Sequence, residues 1–281
     1  MTSLCETPLL NHELDADSAF TPDDLLNAVR VTKNLPNVNV PAVCVLDFDG
    51  DLTDWLIQKE LARPFVPWAC FHTTMYSLDI DGICCGIIPR TIGGPYSVLI
   101  AEQLHVAGAG VILGLTSAGR VSPSLPLPSF VAVTAAVRDE GTSLHYLPPS
   151  SHVCCPTPIA DLLTEEVSTL GPTIQGTAWT TDAPYRETSI QLQRHAEAGV
   201  LAVEMQAASL FAFATARQAA VGVIAHVTNA IGHHEDEQFE KGTDEDSFQL
   251  LQAMVRAGGR FLNRTSINER QRISACGPAH K

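Results

Sequence analysis

The sequence predicts an α/β fold, a single domain with a mixed twisted central sheet flanked by helices on both faces. Short apolar runs carry the first argument: Val43–Leu46, Gly110–Leu115, Phe130–Val137, Val200–Val203 and Val221–Val227 are too short for helices and suit buried strands. Helix-length segments follow several of them, and Ala207–Ala220 is alanine-rich with almost no charge, as suits a helix buried against a sheet. A chain of 281 residues, 45% hydrophobic and only 17% charged, can also bury a core of domain size.

In chain order, residues 1–40 read as a loose polar segment with one peripheral helix. Its start is marked by Thr21 as cap, Pro22 in the first turn and the acids Asp23 and Asp24. The α/β domain spans residues 41–262. Within it Leu61–Pro67 reads as a loop, and Met75–Ile80 and Gly82–Ile88 as strands joined by the Asp81-Gly82 turn. Pro95 and Gly108 bracket a helix over Tyr96–Ala107. Asp161–Leu170 is a helix whose Glu165 and Glu166 form a solvated face. Gly176–Glu187 is a polar loop carrying Asp182, Arg186 and Glu187 beside Trp179 and Tyr185. Asp246–Phe261 is an amphipathic closing helix, and residues 263–281 form a mobile tail.

The formal charge of −14 argues against nucleic-acid and anionic-membrane partners, which require a basic patch. The eight cysteines include the adjacent pairs Cys84-Cys85 and Cys154-Cys155 but no zinc spacing, and read as reduced thiols. No secretory signal or run of about 20 apolar residues occurs, so a cytoplasmic location is expected. His233-His234-Glu235-Asp236-Glu237-Gln238 has metal-binding residue types without ligand spacing, and reads as a mobile acidic loop; no metal is expected.

Two local words carry chemistry on their own. Asp47-Phe48-Asp49-Gly50-Asp51-Leu52-Thr53-Asp54 follows a strand and looks like the first motif of haloacid-dehalogenase-type phosphatases. That mechanism also needs a downstream lysine and an acidic pair after a late strand, and Val221–Ala225 is followed by His226-Val227-Thr228-Asn229 instead. Gly93-Gly94 at a helix start offers backbone N–H groups to an anion, and Arg90 beside it is a ready oxyanion ligand.

Four further words occur in one order: Gly93-Gly94-Pro95, Arg138-Asp139-Glu140-Gly141-Thr142-Ser143, Thr180-Thr181-Asp182-Ala183-Pro184-Tyr185-Arg186-Glu187 and Val203-Glu204-Met205-Gln206. Together they resemble the nucleoside phosphorylase family, its uridine phosphorylase branch most closely, over roughly Pro41–Gly259. The resemblance implies phosphorolysis of a uridine-like nucleoside to free base and ribose 1-phosphate. It implies no cofactor, inorganic phosphate as co-substrate, and a homo-oligomer built from dimer units, with His72 or Arg63 as candidates to reach across. Phosphate would be held by Gly50, Arg90, Gly94 and Thr116, with Arg120 a further candidate. Met205 would floor the ribose, Glu204 and Gln206 would hold its hydroxyls, Arg186 would bond the base carbonyl, and Trp179 or Tyr185 would stack on the ring. Arg186, Glu204 and Gln206 are thus the expected catalytic set.

The sequence also departs from that family. The arginine after the first glycine turn is missing from Leu52-Thr53-Asp54-Trp55, and a second is replaced near Leu113. Gln206 stands for the second acid of a Glu-Met-Glu word. Asn229 stands where purine-handling members carry a catalytic Asp, and an amide cannot transfer a proton. These changes leave open a nucleosidase using water, or a nucleoside-binding protein with weakened chemistry.

Overall fold

The computed structural model of the protein describes residues 7–230 and 242–275; the His233–Gln238 stretch lies outside the described residues. The elements in order are α1 (Pro22–Lys33), β1 (Val43–Asp47), α2 (Asp51–Gln58), β2 (Arg63–Pro64), β3 (Tyr76–Ile80), β4 (Ile83–Pro89), α3 (Gly94–Val106), β5 (Val111–Arg120), β6 (Ser129–Asp139), β7 (His152–Cys154), α4 (Ala160–Val167), β8 (Thr173–Thr181), α5 (Ser189–Glu197), β9 (Val200–Glu204), α6 (Ala207–Arg217), β10 (Val221–Ala230) and α7 (Asp244–Ala275).

The strands form one mixed sheet in the order β10-β6-β8-β9-β5-β1-β4-β3-β2, with β7 on β6. A further β10–β5 pairing joins the first strand of that order to the fifth, curling this half of the sheet towards a closed ring. At its centre β4, β1, β5 and β10 run parallel. A strand buried on both faces reads as an unbroken apolar run, and β1 is buried at all of its positions. Helix α6 packs its alanines and phenylalanines against one face, and α7 lies on the other through Leu250, Leu251, Met254 and Val255.

Leu113, at the position where the resemblance implied an arginine, shows how tightly the centre is built. It is fully buried on β5 opposite Gly222 of β10, and a Cβ added at Gly258 of α7 would stand 3.3 Å from its Cδ1. Two glycines thus make the room for one leucine. An arginine here would be a buried charge in an apolar core, not a ligand for an anion.

Three boundaries and one surface differ from the sequence reading. Strand β8 continues through Thr181, so the first half of the supposed polar loop is sheet, buried from Ala178 to Thr181; Thr180 hydrogen-bonds inside the fold. The Leu61–Pro67 loop contains the two-residue strand β2. Helix α7 runs on to Ala275 through much of the supposed tail, since no glycine or proline occurs between Gly259 and Gly277-Pro278. Glu165 and Glu166 are not a merely solvated face: Arg260 bonds both, and Arg256 donates to Glu166 Oε2 at 3.0 Å, tying α7 to α4. Among the described residues no helix is long and apolar enough to cross a membrane.

Leu113→Ala is expected to cost about 2–5 kcal/mol in urea unfolding, the range for deleting a buried leucine whose surroundings cannot collapse. A loss below about 1 kcal/mol would show that the Gly222–Gly258 niche relaxes around the cavity.

Candidate active site

The parallel strands β1, β5 and β10 end on the same side of the sheet, and side chains at their carboxyl ends face a cleft, as in other open α/β sheets. The cleft encloses about 500 Å3 and is lined by Asp49 after β1, Thr116 and Ser117 on β5, Met205 and Gln206 after β9, and Asn229 on β10. Tyr185 and Glu187, from the segment after β8, complete its wall. A smaller pocket of about 130 Å3 adjoins it, sharing Asp49, Thr116 and Ser117 and adding Asp47, Asp51, Asp244 and His226. A cavity of about 560 Å3 elsewhere, between α1 and α3, is slightly larger. Its Glu102, Arg217 and Tyr146 bond one another, so its main polar groups are already committed.

Thr116, Gln206, Met205, Asn229 and Tyr185 therefore meet as the sequence suggested. Thr116 and Gln206 come together although 90 residues apart: the threonine hydroxyl donates to the Ser117 carbonyl at 2.7 Å and lies 3.4 Å from Gln206 Oε1. That oxygen also accepts the Met205 N–H at 3.2 Å. Among the described residues the Gln206 amide nitrogen takes no partner, although the residue is only 1% exposed in the cleft wall. A polar nitrogen so placed is available to donate into the cleft.

Glu204 is placed differently from expectation. Its Oε1 accepts the Thr180 hydroxyl, and its Oε2 accepts the N–H groups of Gln206 at 2.6 Å and Ala207 at 2.8 Å. Both oxygens are thus engaged, Oε1 on β8 and Oε2 at the start of α6, where the helix dipole favours a negative charge. Burial nonetheless outweighs these donors and pushes the carboxyl up to about 7, with Glu140 nearby adding to the rise. Glu204 lines the cleft with Met205 and Gln206, but its carboxylate oxygens are engaged in holding the site's frame.

Other expected residues lie outside the cleft. Trp179 is fully buried, packed with Val121, Val200 and Val203, its indole N–H on Asp139 at 3.0 Å and its ring 4.4 Å from that of His195. It is core, because β8 carries it inward. Arg186 is exposed and does not line the cleft, since it stands on the outer side of the 3₁₀ turn Pro184–Arg186. Arg138 anchors its own loop through Ser143, Leu147, Pro148 and Ser150. Arg120 reaches the Leu125 carbonyl.

The expected phosphate set is dispersed as well. Gly94 has no room for a Cβ because Ser209 of α6 and Thr142 close on it; close packing, not an anion, requires the glycine. Gly50 has φ +86° and donates its N–H to Asp47 Oδ1 at 3.1 Å. Asp47 Oδ2 accepts the Thr53 N–H at 2.9 Å and its hydroxyl at 2.7 Å. The donors of this turn are thus filled by the chain's own carboxylate. Arg90 covers Gly50, whose added Cβ would stand 2.6 Å from its Cγ, and its guanidinium is paired with Asp54. Of the four, only Thr116 lines the cleft.

Asp49 and Glu187 belong to the site although the sequence assigned them no part in it. The strand-end rule was the available signal for Asp49. For Glu187 there was none, because inward and outward positions of a 3₁₀ turn cannot be told from spacing. Among the described residues no group of three or more His, Cys, Asp and Glu side chains is arranged to hold a metal ion.

Glu204 makes stability depend on pH. Its folded value, about 7, lies above the usual 4.5, so between those limits the folded state keeps a proton that the unfolded chain releases. Its contribution therefore falls as pH rises from 4.5 to about 7 and is level above. Melting curves of the unaltered protein minus those of Glu204→Gln are expected to fall over that window. A difference that does not change with pH would contradict the assignment.

Residues 42–257 match the family model described as the phosphorylase superfamily. A guanosine phosphorylase of Halorubrum lacusprofundi is 29% identical over 176 residues, 59% of this chain and 68% of that protein. A uridine phosphorylase of Salmonella typhimurium is 23% identical over 191 residues, 63% of this chain and 72% of that protein. The crystal structure of purine nucleoside phosphorylase from Toxoplasma gondii in complex with immucillin-H superposes with a TM-score of 0.70 at 17% identity, covering 82% of this chain and 95% of that one, which shows a shared fold. The matched span takes in the sheet and the whole cleft, and the chain belongs to the nucleoside phosphorylase superfamily.

Proposed function

We propose that this protein cleaves the N-glycosidic bond of a uridine-like nucleoside in the cleft, with water as the attacking group. The observation that carries this is the pocket beside Thr116. Among the described residues it is lined by Asp47, Asp49, Asp51 and Asp244 and by no arginine, and the candidate Arg90 is paired with Asp54. A phosphate carries nearly two negative charges at neutral pH. Placed about 4 Å from a carboxylate it would meet a repulsion of about 4 kcal/mol per charge pair at an effective dielectric of about 20. Water meets no such barrier, and Asp49 is placed to accept its proton.

The rest of the cleft suits a nucleoside. Met205 offers the ribose an apolar floor and Gln206 offers a hydroxyl group an N–H donor. Asn229 can pair with a carbonyl and a ring N–H but cannot protonate a purine. Tyr185, 100% exposed at the rim, has surface to lay against a base. A second reading, phosphorolysis to ribose 1-phosphate, is favoured by the relatives' phosphorylase activity and by Thr116, which remains in the cleft.

Nucleosides incubated with the protein, with and without phosphate, separate these readings. Free ribose is expected at the same rate in both, with uridine giving a higher kcat/KM than adenosine or inosine. Asp49→Asn should lower kcat by about 10²–10⁴-fold, the usual contribution of a general base. Ribose 1-phosphate formed only in the presence of phosphate would establish the second reading, and no product in either buffer would leave a binding protein.

A further inference from the structure

We infer that Glu187 is the general acid of the cleft, the group that gives a proton to the departing base. This rests on the proposed N-glycosidic cleavage but not on the choice of water over phosphate.

The local chain holds this residue firmly. The 3₁₀ turn Pro184–Arg186 places Tyr185 and Glu187 on the cleft wall and Arg186 in solvent. The Glu187 N–H donates to the Pro184 carbonyl at 3.3 Å. Thr188, next in the chain, caps α5 through a reciprocal box with Gln191: Thr188 N–H to Gln191 Oε1 at 3.1 Å, and Gln191 N–H to Thr188 Oγ1 at 3.3 Å. The backbone is thus pinned on both sides of Glu187.

Its carboxyl, by contrast, is unspent. It is half-buried in the cleft wall, and among the described residues it has neither a hydrogen bond nor a charged partner. The other carboxyls around the site have other tasks: Asp47 caps α2, Glu204, also on the cleft wall, accepts two N–H groups at the start of α6 and the Thr180 hydroxyl, and Asp49, shared by the cleft and the adjoining pocket, is placed as the base. Asn229 cannot donate a proton in this chemistry. Burial alone raises Glu187 above its ordinary value, which keeps the proton on closer to neutrality. Two carboxyls with separated roles, one acid and one base, are the usual equipment for hydrolysing a glycosidic bond.

The step balances. The bond from C1′ to the base nitrogen breaks and its electron pair leaves with the base, which takes the Glu187 proton at a ring nitrogen or carbonyl oxygen. The water oxygen bonds to C1′ and its proton passes to Asp49. Glu187 ends ionised and Asp49 protonated, and exchange with solvent restores both.

Leaving-group dependence tests this. Uridine needs a proton on its departing base, whereas the nitrophenolate of 4-nitrophenyl β-D-ribofuranoside leaves without one. Glu187→Gln should lower kcat/KM for uridine by about 10²–10⁴-fold and for the nitrophenyl riboside by less than about threefold, with Glu187→Asp recovering part of the uridine activity. Equal loss on both substrates would assign Glu187 to sugar binding or to structure, and full uridine activity in Glu187→Gln would remove it from the reaction; either overturns the inference. Should the unaltered protein cleave no nucleoside, the parent reading falls and the acid with it. Should cleavage require phosphate while the leaving-group contrast persists, the acid stands and only water as nucleophile is lost.

Discussion

The buried carboxylate of Asp47 determines what the inner end of this cleft can hold. Only 3% exposed, it accepts the Gly50 N–H, the Thr53 N–H and the Thr53 hydroxyl at the junction of β1 and α2. A glycine turn followed by a helix start is a ready anion site, and here the chain has filled it with an anion of its own. The Asp47 carbonyl also takes the Arg90 N–H at 2.8 Å, holding Arg90 at φ +58° so that its side chain crosses Gly50 to Asp54. Both Asp47 oxygens are engaged by these three donors, which leaves the carboxylate ill placed to act as a phosphatase nucleophile.

Glu204 repeats the arrangement at the other side of the cleft, where it neutralises the start of α6. Two internal acids therefore occupy two helix starts that would otherwise suit an external anion. Beside Glu204, the ligand space is faced by the amide of Gln206, the hydroxyl of Thr116, Asn229, and the carboxyls of Asp49 and Glu187. This set suits neutral sugar hydroxyls, a polar base and a water molecule better than a dianion. The superfamily's sheet is present, with acidic rather than basic side chains around the nucleophile end of its cleft.

Much of the fold was legible because buried strands write themselves as short apolar runs. The core of every run named from the sequence lies in a strand, and their convergence brings Thr116, Gln206, Met205 and Asn229 together in one cleft. The errors share a cause, the reading of polarity or proximity in sequence as orientation. Thr180 and Thr181 made β8 look like a loop, yet Thr180 satisfies its hydroxyl on Glu204 and Trp179 beside it is core. Arg186 adjoins Tyr185 and Glu187 but points the other way. Gly94 and Gly50 are glycines for reasons of packing and of φ, and neither reason requires phosphate. The Arg90–Asp54 pair joins residues 36 apart, which no local motif reveals.

Whether the Asp47-filled turn excludes phosphate decides between water and phosphate as nucleophile. A crystal structure grown from concentrated phosphate with a nucleoside bound tests this most directly. The sugar and base are expected in the cleft, with water beside Asp49 and the Asp47 carboxylate still on Gly50 and Thr53. A phosphate resting on Gly50 and Thr116, with Asp47 turned away from both N–H groups, would contradict the exclusion.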